Sequence, residues 1–310
     1  MRQPMEAGVE IVGLGHANID FLGVVDRYPE VDQKVDLGTF SIQGGGPVAT
    51  ALVTAATLGR RTAFIGKVGD DYFGDFIAAG LRDAGVDVSG LVREPDVVSP
   101  FSFIAVEART GRRNVFSTGG SVGALRPAEV PPGLLMGARM LHLDGHHPEA
   151  AVAAAETARR RGMKVVLDSG SSRKGMGDLI ALCDVLVASE RFANEMAPRG
   201  ELPEQVASLR AMGPPIVVIT LGAYGAVGGD GGARLVSMGA MPVQAADTTG
   251  AGDVYHGAFL HAMLEGWDLA RAMRFAAAAA GLSCRGLGGR GAIPTRADID
   301  QALASWEGDR

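Results

Sequence analysis

Asp247-Thr248-Thr249-Gly250-Ala251-Gly252-Asp253 runs directly into Val254-Tyr255-His256-Gly257-Ala258-Phe259. The first stretch is small, polar and glycine-rich. The second opens an apolar segment that reads as a helix over Gly252–Leu264. A Gly-Ala-Gly start leaves backbone N–H groups uncovered at a helix N-terminus. With the helix dipole they make an anion site suited to a phosphate in transfer. Asp253 stands in the first turn, where the same dipole holds a carboxylate ionised. From there it can take the proton of a hydroxyl that attacks the phosphate. The same residues also suit a plainer role, an Asp-capped, glycine-rich loop leading into a packed helix.

Outward from this stretch, strands and helices alternate. Val9–Gly15, Thr62–Val68, Met140–Leu143, Lys164–Asp168, Asp184–Ala188 and Ile216–Leu221 read as buried strands. Pro47–Leu58 (closed by Gly59), Tyr72–Ala84, Glu149–Arg161, Pro203–Met212 and Leu269–Cys284 read as helices. Such a rhythm predicts an α/β fold whose mostly parallel sheet is covered on both faces. Ile19–Asp26, Lys34–Ile42, Phe101–Glu107 and Asn114–Ser117 break it, because they alternate apolar and polar residues. They predict a small antiparallel sheet projecting from the main body. Tyr224–Gly228 and Ala233–Ser237 predict a hairpin. No repeat or interdomain linker interrupts the chain, so residues 1–310 are expected to form a single domain, with projecting segments near 19–42 and 98–117.

Composition narrows the function. The chain has 310 residues, 47 % of them hydrophobic, enough for a sizeable core. Its net charge of −6 is the wrong sign for a nucleic-acid partner. The cysteines, Cys183 and Cys284, form no CxxC pair, which fits a reducing compartment and excludes a disulfide scaffold. No apolar run is long enough to span a membrane, and the first residues lack a signal-peptide core. A cytoplasmic protein is expected. Val12-Gly13-Leu14-Gly15 follows a strand, but Asn18 occupies the third glycine position of a dinucleotide fingerprint. No P-loop is present. His142, His146 and His147 lack a matching ligand cluster in the sequence, so no zinc site is expected. His256 and His261 read as packing residues, and Arg109, Arg112 and Arg113 as a solvated turn.

Four stretches together resemble the ribokinase-like (PfkB-type) carbohydrate kinases. The Asp247–Asp253 stretch is similar to the family's C-terminal signature. Gly45-Gly46-Pro47-Val48-Ala49-Thr50-Ala51, running to Leu58-Gly59, is similar to its GGxxxNxA…LG segment. Gly15-His16-Ala17-Asn18-Ile19-Asp20 is similar to its first-strand exit, and Thr220-Leu221-Gly222-Ala223-Tyr224-Gly225-Ala226 to its nucleotide-side TxGxxG stretch. They lie in order over nearly the whole chain.

The resemblance implies a three-layer α/β/α body with a β-sheet lid, and ATP-dependent phosphorylation of a sugar hydroxyl with Mg2+. It puts Asp253 at the catalytic base and Gly250, Ala251 and Gly252 at the anion hole. Asn18, Asp20, Gly45, Gly46 and Asp144 fall on the sugar side. Thr220, Gly222 and Gly225 fall on the nucleotide side, with Ala276 and Ala280 at an adenine slot. Asp247, Thr249 and the loop Arg285–Ala292 are where the family's monovalent cation, such as K+, is expected, and a homodimer through the lid is implied.

Two positions depart from the pattern. Thr50 replaces the asparagine of GGxxxN, and Phe192 replaces the second acid of the NxxE motif linked to Mg2+. Glu190 and Glu195 are the nearby acids that can compensate. The rival readings are a kinase of a nucleoside or of an acidic sugar, for which Lys34 and the lid arginines are the visible cations, and a silent sugar- or nucleotide-binding protein.

Overall fold

The computed structural model describes residues 8–232 and 235–306. The elements are β1 (Ile11–Leu14), β2 (Asn18–Val25), β3 (Phe40–Gly45), α1 (Pro47–Thr57), β4 (Thr62–Gly69), α2 (Tyr72–Asp83) and β5 (Val86–Glu94). There follow β6 (Phe101–Glu107), β7 (Arg113–Thr118), β8 (Met140–Leu143), α3 (Pro148–Arg160), β9 (Lys164–Ser169), α4 (Met176–Ala181) and β10 (Val185–Ser189). The chain continues through α5 (Glu190–Met196), α6 (Leu202–Ala211), β11 (Ile216–Thr220), β12 (Ala226–Gly229) and β13 (Val236–Met238). It ends in α7 (Ala251–Leu264), α8 (Leu269–Ser283) and α9 (Arg296–Ser305).

A nine-stranded sheet in the order β13-β12-β11-β10-β9-β8-β1-β4-β5 forms the body. It is parallel from β5 through β11 and antiparallel over β12 and β13. The expected α/β class and the separate small sheet both hold. Neighbouring strand residues point to opposite faces, and the core divides accordingly. Ile11 and Val218 face a layer with α1, α7 and α8, including Leu52, Phe259 and Phe275. Val12, Leu14, Val217 and Ile219 face a layer with α3, Phe192 and Leu209. Each such aliphatic residue contributes about 1.5–3 kcal/mol on burial.

The small sheet has the order β3-β2-β6-β7. It is mixed rather than wholly antiparallel: β2 and β6 run parallel, with Ile19 opposite Phe101. Phe73 of α2 packs edge-on against Phe21 and Phe101, which anchors this sheet to the body. The strand expected over Lys34–Ile42 begins only at Phe40. Edge strand β5 and helices α4, α5 and α9 escape the sequence reading. In the hairpin after β11, residues 233–234 lie outside the described residues, and the returning strand is Val236–Met238. No helix among the described residues is long and apolar enough to cross a membrane.

Candidate active site

The loop before α7 is built by interlocking two chain segments. Gly250, the N-cap of α7, has φ 72°, a left-handed conformation that favours glycine. A side chain there would strike Gly289, with a Cβ 2.4 Å from the Gly289 Cα. Asp247 clamps the same two segments. Its Oδ1 accepts from the Thr249 N–H (2.9 Å) and hydroxyl (2.7 Å), and its Oδ2 from the Gly288 N–H (2.8 Å). Gly250, Ala251 and Gly252 thus reach the helix N-terminus held against residues 288–289.

Asp253 follows in the first turn, half-buried. The helix start does not hold it ionised as the sequence reading expects: burial pushes its carboxyl up to about 7, and the neighbouring Asp168 carboxylate adds to this, while the charges of His256 and Arg290 oppose it. A carboxyl poised there is matched to proton transfer near neutrality.

Facing it are the start of β2 and the end of β3, where Asn18 pairs with Gly45. Asn18 and Asp20, two residues apart on one strand, share a face. The Asn18 amide donates to Asp20 Oδ1 (2.5 Å) and Ser102 Oγ (2.9 Å). Burial raises the Asp20 pKa. Gly45 lies so close that a Cβ on it would sit 2.1 Å from Asp20 Oδ2. Gly46 caps α1 at φ 96°. Asp144 stands at the exit of β8, but it is committed: it accepts from the His16 N–H (2.8 Å) and the His146 N–H (3.0 Å), and the His146 ring Nδ1 lies 3.0 Å away. These partners hold its carboxyl well below the usual range against the penalty of burial.

Arg290 lies in the loop expected to hold a cation, but the sequence motifs give it no role of its own. Its Nε donates to Thr50 Oγ1 (3.2 Å) and its Nη2 to the Gly45 carbonyl (3.1 Å). Burial lowers its pKa to about 10, while the charges of Asp20 and Asp253 work the other way. The missing amide at Thr50 is the only signal for it in the sequence: a site that loses one donor needs another. The histidines also group in a way the sequence does not reveal. His256 Nε2 lies 3.1 Å from Asp168 Oδ1, and fully buried His142 completes a cluster whose ligating atoms lie within 4.8 Å of one another.

On the other side, Thr220 ends β11 and donates to the Ala188 carbonyl (3.3 Å). Gly222 and Gly225 have φ 59° and 94°, and Gly225 lies against the Met238 carbonyl. Ala280 is half-buried, but Ala276 is fully buried in the core, so it packs α8 rather than lining an open slot. Glu190 is exposed at the start of α5. Glu195 is taken up by Arg191 (2.8 Å) and by the Ser172 N–H (2.6 Å). Phe192, at the missing acid, is wholly buried. Arg113, expected in a solvated turn, instead reaches from β7 to Thr248 Oγ1 at 2.6 Å.

An α/β body, a separate small sheet and a helix-start carboxylate opposite a buried Asn–Asp pair describe a sugar-kinase architecture. The pattern of the pfkB family carbohydrate kinases matches residues 10–296, and the chain belongs to that family. It is 32% identical over 300 residues to the ATP-dependent ribose-1-phosphate kinase of Halopiger xanaduensis, covering 96% of this chain and 98% of that protein. It is 27% identical over 305 residues to a nucleoside kinase of Methanothermobacter thermautotrophicus, covering 96% of each. The Arabidopsis thaliana ribokinase, solved with ribose and ATP, shares the fold at a TM-score of 0.81 and 24% identity, covering 96% of this chain and 99% of that one.

Proposed function

We propose that this carbohydrate kinase transfers the γ-phosphoryl group of ATP to a hydroxyl of a small neutral sugar, with Asp253 as general base. The carrying observation is that Asp253 stands in the first turn of α7 just past the Gly250–Gly252 loop, with the buried, hydrogen-bonded Asn18–Asp20 pair near enough for the Asp20 charge to act on it. Asn18 and Asp20 bind acceptor hydroxyls, and Gly45 and Gly46 let the backbone close on them. Asp253 then removes the proton of the hydroxyl it faces as that oxygen attacks phosphorus. The backbone N–H groups of Gly250, Ala251 and Gly252 hold the charge that develops on the transferred group. Arg290 offsets Asp20 and Asp253, so its charge is already matched and the pocket favours a neutral polyol over an anion. Thr220, Gly222, Gly225 and Ala280 line the nucleotide side. The small sheet acts as the lid over the sugar.

Mg2+ supplies charge neutralisation on the phosphates and arrives bound to ATP. The side chains do not fit a built-in Mg2+ network at the second acid, because Phe192 is core and Glu195 is taken up by Arg191 and the Ser172 N–H. For a monovalent cation, Asp247 and Thr249 are already committed to each other and to Gly288, so no step is routed through it. Exposed Phe40, Ile42, Val115 and Phe116 on the small sheet suit a homodimer through that sheet. The free, buried cysteines suit a cytoplasmic setting.

A coupled assay of ATP turnover across neutral sugars, nucleosides and sugar phosphates tests the reading. Turnover with a neutral sugar supports it. Preference for a nucleoside or sugar phosphate selects a rival acceptor, and binding without turnover selects the silent protein.

A further inference from the structure

Behind Asp253, between α7 and the sheet, lies a group of side chains that contact neither acceptor nor nucleotide in the phosphoryl-transfer reading. His142 of β8 stands level with Gly13 on one side and Val166 on the other. Asp168 lies two residues beyond Val166, so it presents to the same face of the sheet. His256 comes from α7 on that face, one turn past Asp253. His142 is 0%, His256 6% and Asp168 8% exposed. The imidazole rings of His142 and His256 lie 5.7 Å apart.

We propose that His142, Asp168 and His256 form a buried site for one divalent transition-metal ion of the Zn2+ class, tying α7 to β8 and β9. The donor set is two imidazoles and one carboxylate. Such a set suits Zn2+, Co2+ or Ni2+, whereas Mg2+ and Ca2+ take oxygen ligands. Three protein ligands with a fourth position left to water is an established zinc arrangement. Ligands at about 2.0–2.1 Å from a tetrahedral ion stand about 3.3 Å from one another. His256 Nε2 and Asp168 Oδ1 are already 3.1 Å apart, and the whole set lies within 4.8 Å. Rotation of the His142 ring supplies the remaining closure.

A second observation points to an occupant. The His142 ring meets only the Val166 backbone, in poor alignment, and His256 Nδ1 has no hydrogen-bond partner. Buried polar groups in folded proteins are paired, and a histidine that serves only for packing ordinarily finds an acceptor for its N–H. The competing occupant is ordered water, which would satisfy these atoms without selecting among metals.

The experiment uses the full-length protein without a polyhistidine tag, stripped with a chelator and titrated with ZnCl2. Expected are stoichiometric zinc by elemental analysis after desalting, retention in millimolar Mg2+, and a thermal midpoint raised by several degrees with Zn2+ but not Mg2+. Loading with Co2+ should give the visible absorption of a four-coordinate nitrogen–oxygen site. His142→Phe should abolish stoichiometric binding. His146→Asn, which removes the ring stacked on His16 outside the cluster, should leave it intact. If His142→Phe does not fold, zinc-edge X-ray absorption of the unaltered protein decides, with two imidazoles expected around the ion. No retained metal, retention undiminished in His142→Phe, or a spectrum without two imidazoles overturns the proposal and leaves water as the occupant.

Discussion

The Arg113 guanidinium donates to the Thr248 hydroxyl across 2.6 Å, joining the outer strand of the small sheet to the loop that opens α7. Gly111 reinforces the approach, since a Cβ on it would lie 3.2 Å from the Ala245 carbonyl. The small sheet and the anion loop therefore meet directly. Arg113→Ala should loosen that closure. Because Arg113 is exposed, the contact is worth at most about 1 kcal/mol, so acceptor kcat/KM should fall by up to about fivefold. ATP hydrolysis without acceptor should rise relative to transfer, because closure excludes water. An unchanged ratio of hydrolysis to transfer would show that this contact plays no part in closure.

Asp253→Asn keeps the shape of the side chain and removes its proton acceptor. Turnover should drop about 10²–10⁴-fold, the usual contribution of a general base. Nucleotide affinity, read by calorimetry, should stay near that of the unaltered protein. A loss of turnover under about tenfold would assign the proton to another group.

The rate should depend on pH through Asp253, which must be ionised to act. With its pKa near 7, kcat/KM of the free enzyme should fall as pH drops through about 7. Arg290 holds that pKa down, so Arg290→Gln should move the acid limb to higher pH, and Arg290→Lys should partly restore it. A pH–rate profile of each variant with Mg2+ and ATP in excess checks the order. A limb that does not move would separate Arg290 from the base.

Asp20→Ala should weaken acceptor use about ten- to a hundredfold, the loss of one charged hydrogen bond of about 1.5–3 kcal/mol. ATP binding should hardly change. Equal acceptor KM in the variant, with the fold intact by circular dichroism, would remove Asp20 from the sugar side.

Local chemistry was legible in the sequence wherever it lies within one element. Asn18 and Asp20 are two apart on a strand, and Asp253 follows its own anion loop, so spacing places them. Strand direction is another matter: alternation in β2 and β6 gives a buried face but not that the two run parallel. Edge strand β5 is half-exposed, and Gly90 interrupts its apolar pattern, so its signal is weak. Helix α9 is announced by the Thr295–Asp298 capping box but carries a mostly polar and small exposed face with few large apolar residues. Ala276 misled because a small helical residue suits a ligand slot and close packing equally well. Arg290 meets Thr50, and His142 meets His256, only because the fold brings distant segments together.

β1 pairs with β4 on one side and β8 on the other. β1 is an interior strand of the sheet, yet its second neighbour emerges more than a hundred residues later. Until Leu143 is made, β1 presents an open edge with its backbone groups unpaired. That interval invites pairing with other chains, so this protein's yield in the cell should depend on translation speed and chaperones more than its native contacts suggest.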